Sequence, residues 1–252
     1  MTQTTGAPTA SSSLAGAVIV FFAWLTAGSM FASLLGADGS GSRAHVEAMM
    51  LGLLCGDIVA FAVAIAWLRL SDPLIEPRAC ADRLRAFVGP RGDLLRTLGT
   101  YLAFLVLWVP FAFVLVPMLW HALGLEMTPQ KHLEYFARFE PTPRAILGLL
   151  SLGVVGPLFE EVVFRGLLQG GLRRLLGPGV ALWGTALAFG AIHMPDGSYL
   201  LLPITLLGLL FGWLRERTGG LRASFLAHAL HNSIMLAIVI AAPNLLDRTF
   251  QR

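Results

Sequence analysis

Phe159-Glu160-Glu161-Val162-Val163-Phe164-Arg165-Gly166 sets two carboxylates and a guanidinium inside an apolar run that begins near Ala145. Ionisable groups are costly in a long apolar segment. In membrane proteins they face a bundle interior or a water-filled cavity, so they mark a functional site. On a helix Glu161 and Arg165 stand at i and i+4 and can pair, whereas Glu160 is turned about 100° away from Glu161. Glu160 is thus the carboxylate left for proton transfer, the work of a general base. One buried ion cluster that only fixes helix packing is the alternative.

Two further apolar stretches carry polar groups. Phe189-Gly190-Ala191-Ile192-His193 places Phe189 and His193 on one helical face, just before Met194-Pro195. His228-Ala229-Leu230-His231-Asn232 places His228 and Asn232 at i and i+4, with His231 turned away from Asn232. None of these groups is cheap to bury without partners. Interhelical hydrogen bonding accounts for one such residue and poorly for three, so three helices each bringing polar groups imply one shared site. No serine or cysteine stands beside a base, which disfavours a covalent nucleophile. Glu160, His193 and His228 together could make a His₂Glu zinc set with an open fourth position, although the HExxH arrangement is absent.

The helices that must carry these groups are membrane-spanning. The 252-residue chain is 56% hydrophobic and 13% charged, against about 45–50% and about 25% in an average soluble domain. A span needs about 20 apolar residues. Such runs lie near Leu14 to Leu35, Ala48 to Leu70, Leu94 to Leu123, Ala145 to Leu168, Val180 to His193, Tyr199 to Leu214 and Leu221 to Ala242. The expected fold class is all-α: a polytopic transmembrane helix bundle of about seven spans, within a range of six to eight, with its active site inside the bilayer. The fifth and sixth runs are short and suit helices buried among others. Without repeats or a long linker, residues 1–252 read as a single membrane domain in which 145–242 are the motif-bearing helices. Pro110 and Pro117 should bend the third span, and Gly156-Pro157 should free backbone carbonyls close to Glu160.

The positive charges are unevenly placed. Arg69, Arg78, Arg83, Arg85, Arg91 and Arg96 flank the second connection, Arg173 and Arg174 the fourth, and Arg215, Arg217 and Arg222 the sixth. Arg43, Lys131, Arg138, Arg144, Arg248 and Arg252 fall on the other side. The positive-inside rule then puts the N-terminus in the cytoplasm and the C-terminus outside. This membrane role for the cations requires no nucleic-acid partner. The first 13 residues lack the basic region of a signal peptide, so Leu14 to Leu35 reads as a retained helix. Cys55 and Cys80 have no clustered spacing, which disfavours a disulfide framework and a thiol metal site. Ala79 to Val88 reads as a solvated basic loop or a short interfacial helix, and Glu126 to Arg144 as a cap on the outer face.

The three motifs, in order, resemble the CPBP family, the CAAX-protease and bacteriocin-processing membrane proteins related to the Ras-converting CAAX endopeptidases. The family pattern of Glu-Glu-x-x-x-Arg, Phe-x-x-x-His and His-x-x-x-Asn falls on Glu160, Glu161 and Arg165, on Phe189 and His193, and on His228 and Asn232. His231 is not part of it. The resemblance implies an intramembrane endopeptidase acting on a membrane-embedded or lipidated peptide. Glu160 would be the general base, His193 would hold the water, and His228 and Asn232 would donate to the oxyanion. Glu161, Arg165 and Phe189 would support them. For the cofactor, direct glutamate and histidine chemistry is favoured over zinc bound by Glu160, His193 and His228. Partners are membrane lipids and the peptide substrate. The 17 arginines against one lysine suggest a GC-rich genome and a bacterial plasma membrane. A proton- or ion-coupled transporter and a noncatalytic scaffold for hydrophobic partners are the rival functions.

Overall fold

Residues 10–70, 88, 94–127 and 130–244 of the computed structural model are described here. They are helical throughout, joined by turns, with no strand among them. In chain order the helices are α1 (Ala10–Leu34), α2 (Arg43–Leu70), α3 (Leu94–Ala122), the short α4 (Lys131–Ala137), α5 (143–176), α6 (178–191), α7 (Leu201–Thr218) and α8 (Arg222–Ala241). Among the described residues six continuous stretches are long and apolar enough to cross a membrane, and the longest, Pro143–Asp196, contains both α5 and α6. Gly177 divides it. Its φ of 83° and ψ of 169° are open to a residue without Cβ, and Pro178 behind it starts the next helix. Seven long arms result, inside the expected six to eight. This is an integral, multi-pass membrane protein.

The arms alternate between two faces. On one face Arg174 bonds Ser13 at 3.1 Å, Arg173 meets Glu216 at 2.9 Å, and the Leu221 N–H donates to the Val88 carbonyl at 3.0 Å. That face therefore gathers the start of α1, the end of α2, Val88, the Gly177 break and the α7–α8 turn. It carries Arg69, Arg173, Arg174, Arg215, Arg217 and Arg222. On the opposite face Arg43 pairs with Glu140, the Tyr135 hydroxyl donates to Glu47, and the Trp120 indole N–H reaches Ser198. As expected of 126–144, α4 caps this face: Tyr135 and Phe136 pack with Val46, Met50, Leu236 and Val239. The Ala79 to Val88 segment, apart from Val88, and Cys80 lie outside the described residues.

Proline sets the local form of two arms. In α3 the helix widens into a π turn over Phe111–Leu115, between Pro110 and Pro117, where a bend is expected from the sequence. In α5 it widens twice, over Ser151–Val155 and over Glu161–Leu168, so Glu160 sits in the short α-helical turn between them. The expected fourth span to Leu168 was too short. The helix continues through Gln169 and Arg173 because Gln169 donates to the Gly212 carbonyl and to Glu216, and Arg173 pairs with the same glutamate. From Gly177 to Glu160 is then about 26 Å, and from Pro178 to His193 about 22 Å. Ending α5 at Gly177 brings the two motifs to one depth.

Candidate functional site

Glu161 and Arg165 are completely buried. Arg165 Nη1 lies 3.3 Å from Glu161 Oε1, an ion pair held by charge rather than by an aligned hydrogen bond. Its Nη2 donates to the Gly208 carbonyl of α7. The guanidinium carbon stands 4.2 Å from the centre of the Phe189 ring and 5.4 Å from that of Phe211. Ring faces attract a cation, more strongly where water is excluded. Phe189 thus shelters the arginine, in a supporting position.

His228 joins the two acids. Its Nδ1 is 3.0 Å from Glu161 Oε1, and its Nε2 is 3.6 Å from Glu160 Oε2. The acids are neighbours in sequence and about 100° apart on the helix, yet each meets a different nitrogen of one imidazole. With a carboxylate as acceptor, Nδ1 carries the proton it donates to Glu161. Nε2 is then the atom presented to Glu160. Phe211 stacks on the imidazole at 4.5 Å and 19°, and Phe189 meets it edge-on at 5.6 Å, which fixes its plane.

Glu160 differs from its neighbour in both solvation and partners. Its side chain keeps 21% of its surface exposed. Its Oε2 is enclosed and has no hydrogen-bond partner, the His228 distance being too long for one. An oxygen left unpaired in this way is costly unless a water or substrate completes it. Glu161 also has an enclosed, unpaired Oε2, but its side chain is fully buried and its Oε1 is shared by Arg165 and His228.

His193 follows the end of α6 on the α4-capped face, where its Nδ1 lies 2.8 Å from the Phe189 carbonyl oxygen. A carbonyl can only accept, so Nδ1 carries the proton and Nε2 keeps its lone pair. The His193 ring meets Phe189 at 5.0 Å, and Phe189 in turn meets His228. At the start of α4, desolvation of the half-buried His132 imidazole, aided by the nearby His193, pushes it below its ordinary value against the opposing pull of Asp196. Among the described residues no three His, Cys, Asp or Glu side chains gather as a metal set. Glu160 and His228 meet but His193 does not join them, so the zinc set that stood as the alternative is not assembled in this geometry.

Asn232 serves the backbone of α5. Pro157 has no N–H, which leaves the Leu152 and Gly153 carbonyls unclaimed in π and α registers respectively. The Asn232 side-chain amide donates to Leu152 at 2.9 Å, and Ser233 Oγ lies 3.5 Å from the Gly153 oxygen. The expected release of carbonyls at Gly156-Pro157 is present, and α8 satisfies them. One Asn232 N–H remains for other use.

Residues 142–234 match the family model of the Rce1-like type II CAAX prenyl endopeptidases. The match supports a likeness of that stretch to the CPBP family of CAAX proteases. The matched segment runs from the start of α5 to the middle of α8, so every residue of the three motifs falls inside this CPBP-like segment while α1, α2 and α3 lie outside it. No curated protein matches the chain, and no solved structure does.

Two residues escape the sequence argument. His231 turns to α3, where Tyr101 lies 3.3 Å from its Nδ1 and Trp108 packs edge-on at 4.7 Å, so of the two histidines it is His228 that meets Glu160 and Glu161. Asp57 of α2, buried beside the site, was not singled out. An acid midway along an apolar run was the signal that could have found it.

Proposed function

We propose that this protein is an intramembrane endopeptidase that hydrolyses a peptide bond of a membrane-associated or lipidated protein by glutamate- and histidine-activated water. The carrying observation is the division of labour between neighbouring acids. Glu161 is fully buried with its Oε1 shared by Arg165 and His228, while Glu160 keeps part of its surface open and pairs with no arginine or lysine among the described residues, with an unpaired Oε2 facing the same imidazole.

The proposed reaction follows from these positions. Glu160 takes a proton from a water, and the resulting hydroxide adds to the scissile carbonyl carbon. His193, with Nδ1 occupied by the Phe189 carbonyl, offers its Nε2 lone pair to that water. The oxyanion is met by His228 Nε2 in its protonated form and by the spare N–H of Asn232, donors of a kind worth about 10²–10³-fold in rate each. The C–N bond then breaks, and Glu160 delivers its proton to the leaving amine. Glu161, anchored by Arg165, holds the imidazole with Nε2 toward the reacting groups, as a buried acid orients a histidine in a triad.

The substrate is a peptide whose scissile bond reaches the depth of Glu160. The arginine-rich face is proposed as cytoplasmic and the membrane as a bacterial plasma membrane. The direct test uses a fluorogenic peptide with a farnesylated CAAX-type terminus, in detergent. Wild type should release the C-terminal fragment and Glu160→Ala should not. Equal cleavage by both, or by neither, overturns the reading.

A further inference from the structure

We propose that Asp57 is a positioning residue that fixes the turn of α5 carrying Glu160, acting through Trp24 and Phe159. This rests on the protease reading only for its effect on turnover. Asp57 is 2% exposed, in the middle of an apolar helix. Its Oδ1 accepts the Trp24 indole N–H at 2.9 Å, and Trp24 stacks on Phe159 with ring centres 5.2 Å apart and planes at 19°. Phe159 immediately precedes Glu160. On the other side of the same turn, Asp57 Oδ2 lies 4.0 Å from the place a Gly156 Cβ would take, and Gly156 is one helical turn before Glu160. Asp57 also interacts electrostatically with Glu160.

The grip falls where α5 cannot hold itself. Pro157 interrupts the backbone ladder, and π turns flank the segment Gly156–Glu160. The rotation of Glu160 about the helix axis must then be set from outside. The α1–α2 pair is built to do this. A Cβ on Gly52 would fall 2.7 Å from the Gly28 carbonyl oxygen, and one on Gly56 would fall 2.9 Å from that of Trp24. The two backbones meet almost in contact at the level of Asp57, which makes the Trp24 ring a rigid wall for Phe159.

Hydrogen–deuterium exchange on the full-length protein in detergent reads the grip without substrate. D57L and W24F should each raise exchange about 10-fold or more across 153–165, while 201–218 stays as in wild type; D57N keeps an acceptor for the indole and should exchange like wild type. With the farnesylated peptide, D57L and W24F should lower kcat by about 10–100-fold with KM within about twofold, because a small misplacement of a reacting group costs rate rather than binding. D57N should recover most of that loss. Unchanged exchange in D57L overturns the proposal, as does exchange raised everywhere, which would mark general support of the bundle. A D57N variant as impaired as D57L also overturns it, by assigning the effect to charge. If wild type leaves the peptide uncut, the protease reading falls and the exchange data still decide the role of Asp57.

Discussion

Replacing each glutamate by glutamine should separate the two acids. Glu161 and Arg165 are fully buried 3.3 Å apart, and removing one member of such a pair strands the other charge at a cost of about 3–5 kcal/mol. The glutamine oxygen can accept from Arg165 or His228 but cannot restore the charge that faced both. At about 2–4 °C per kcal/mol for a chain of this size, Glu161→Gln should lower the apparent Tm in detergent by about 6–20 °C. Arg165→Met should do the same. The double variant, which leaves no buried charge in the pair, should recover part of the loss. Glu160→Gln removes a carboxylate that holds no hydrogen bond through Oε2 and keeps 21% of its surface. Its stability should change by less than about 1 kcal/mol, while turnover of the farnesylated peptide falls at least about 10²-fold for want of a base. A Glu161→Gln protein as stable and active as wild type would refute the orienting pair. Wild-type turnover by Glu160→Gln would refute the proposed base.

Three further outcomes are expected. A reporter fused after Arg85 should read cytoplasmic and one at Arg252 external; the same side for both would mean an even number of crossings between them. Metal-free protein, verified by elemental analysis, should retain full activity, since His193 does not join Glu160 and His228; loss of activity restored by zinc would refute direct Glu/His chemistry. Because burial lowers the His132 value below its ordinary 6.5, the unfolded chain binds this proton first as pH falls. Stability should therefore decline below about pH 6.5 toward the folded value and level off beneath it. His132→Asn should flatten that decline in thermal unfolding run between pH 5 and 8.

Much of the site was legible because its residues are expensive where they lie. Glu160, Glu161, Arg165, His193, His228 and Asn232 stand out against apolar sequence, and helical spacing alone assigns Arg165 to Glu161. The same spacing could not say what else the groups touch. That His228 reaches both acids, that Phe189 covers Arg165 and that Asn232 bonds a backbone carbonyl are products of three helices meeting. His231 and His228 carry the same cost in sequence, and only the approach of Tyr101 and Trp108 separates them. The end of the fourth span was misplaced because Gln169, Gly170, Gly171 and Arg173 read as a loop. Their polarity is answered by Glu216 and the Gly212 carbonyl, on a helix some forty residues away. Asp57 was overlooked because a single acid forms no motif, although its partner Trp24 lies on the preceding helix.

The Leu152 and Gly153 carbonyls, one of which Pro157 leaves without its helical donor, tie α5 to α8 at the height of the site. Parting the helices would leave that carbonyl unanswered in a medium with no water to replace its α8 donor. Such a seam behaves as a latch. On the proposed protease reading, a polypeptide reaching Glu160 must pass elsewhere. The tolerance for motion has to reside in walls other than α8 and also other than α7, whose Gly208 and Gly212 carbonyls accept from Arg165 and Gln169. Swapping Asn232 for a residue without a donor would accordingly do more than thin the oxyanion site. It would unfasten a boundary of the site at which α8 answers the backbone of α5.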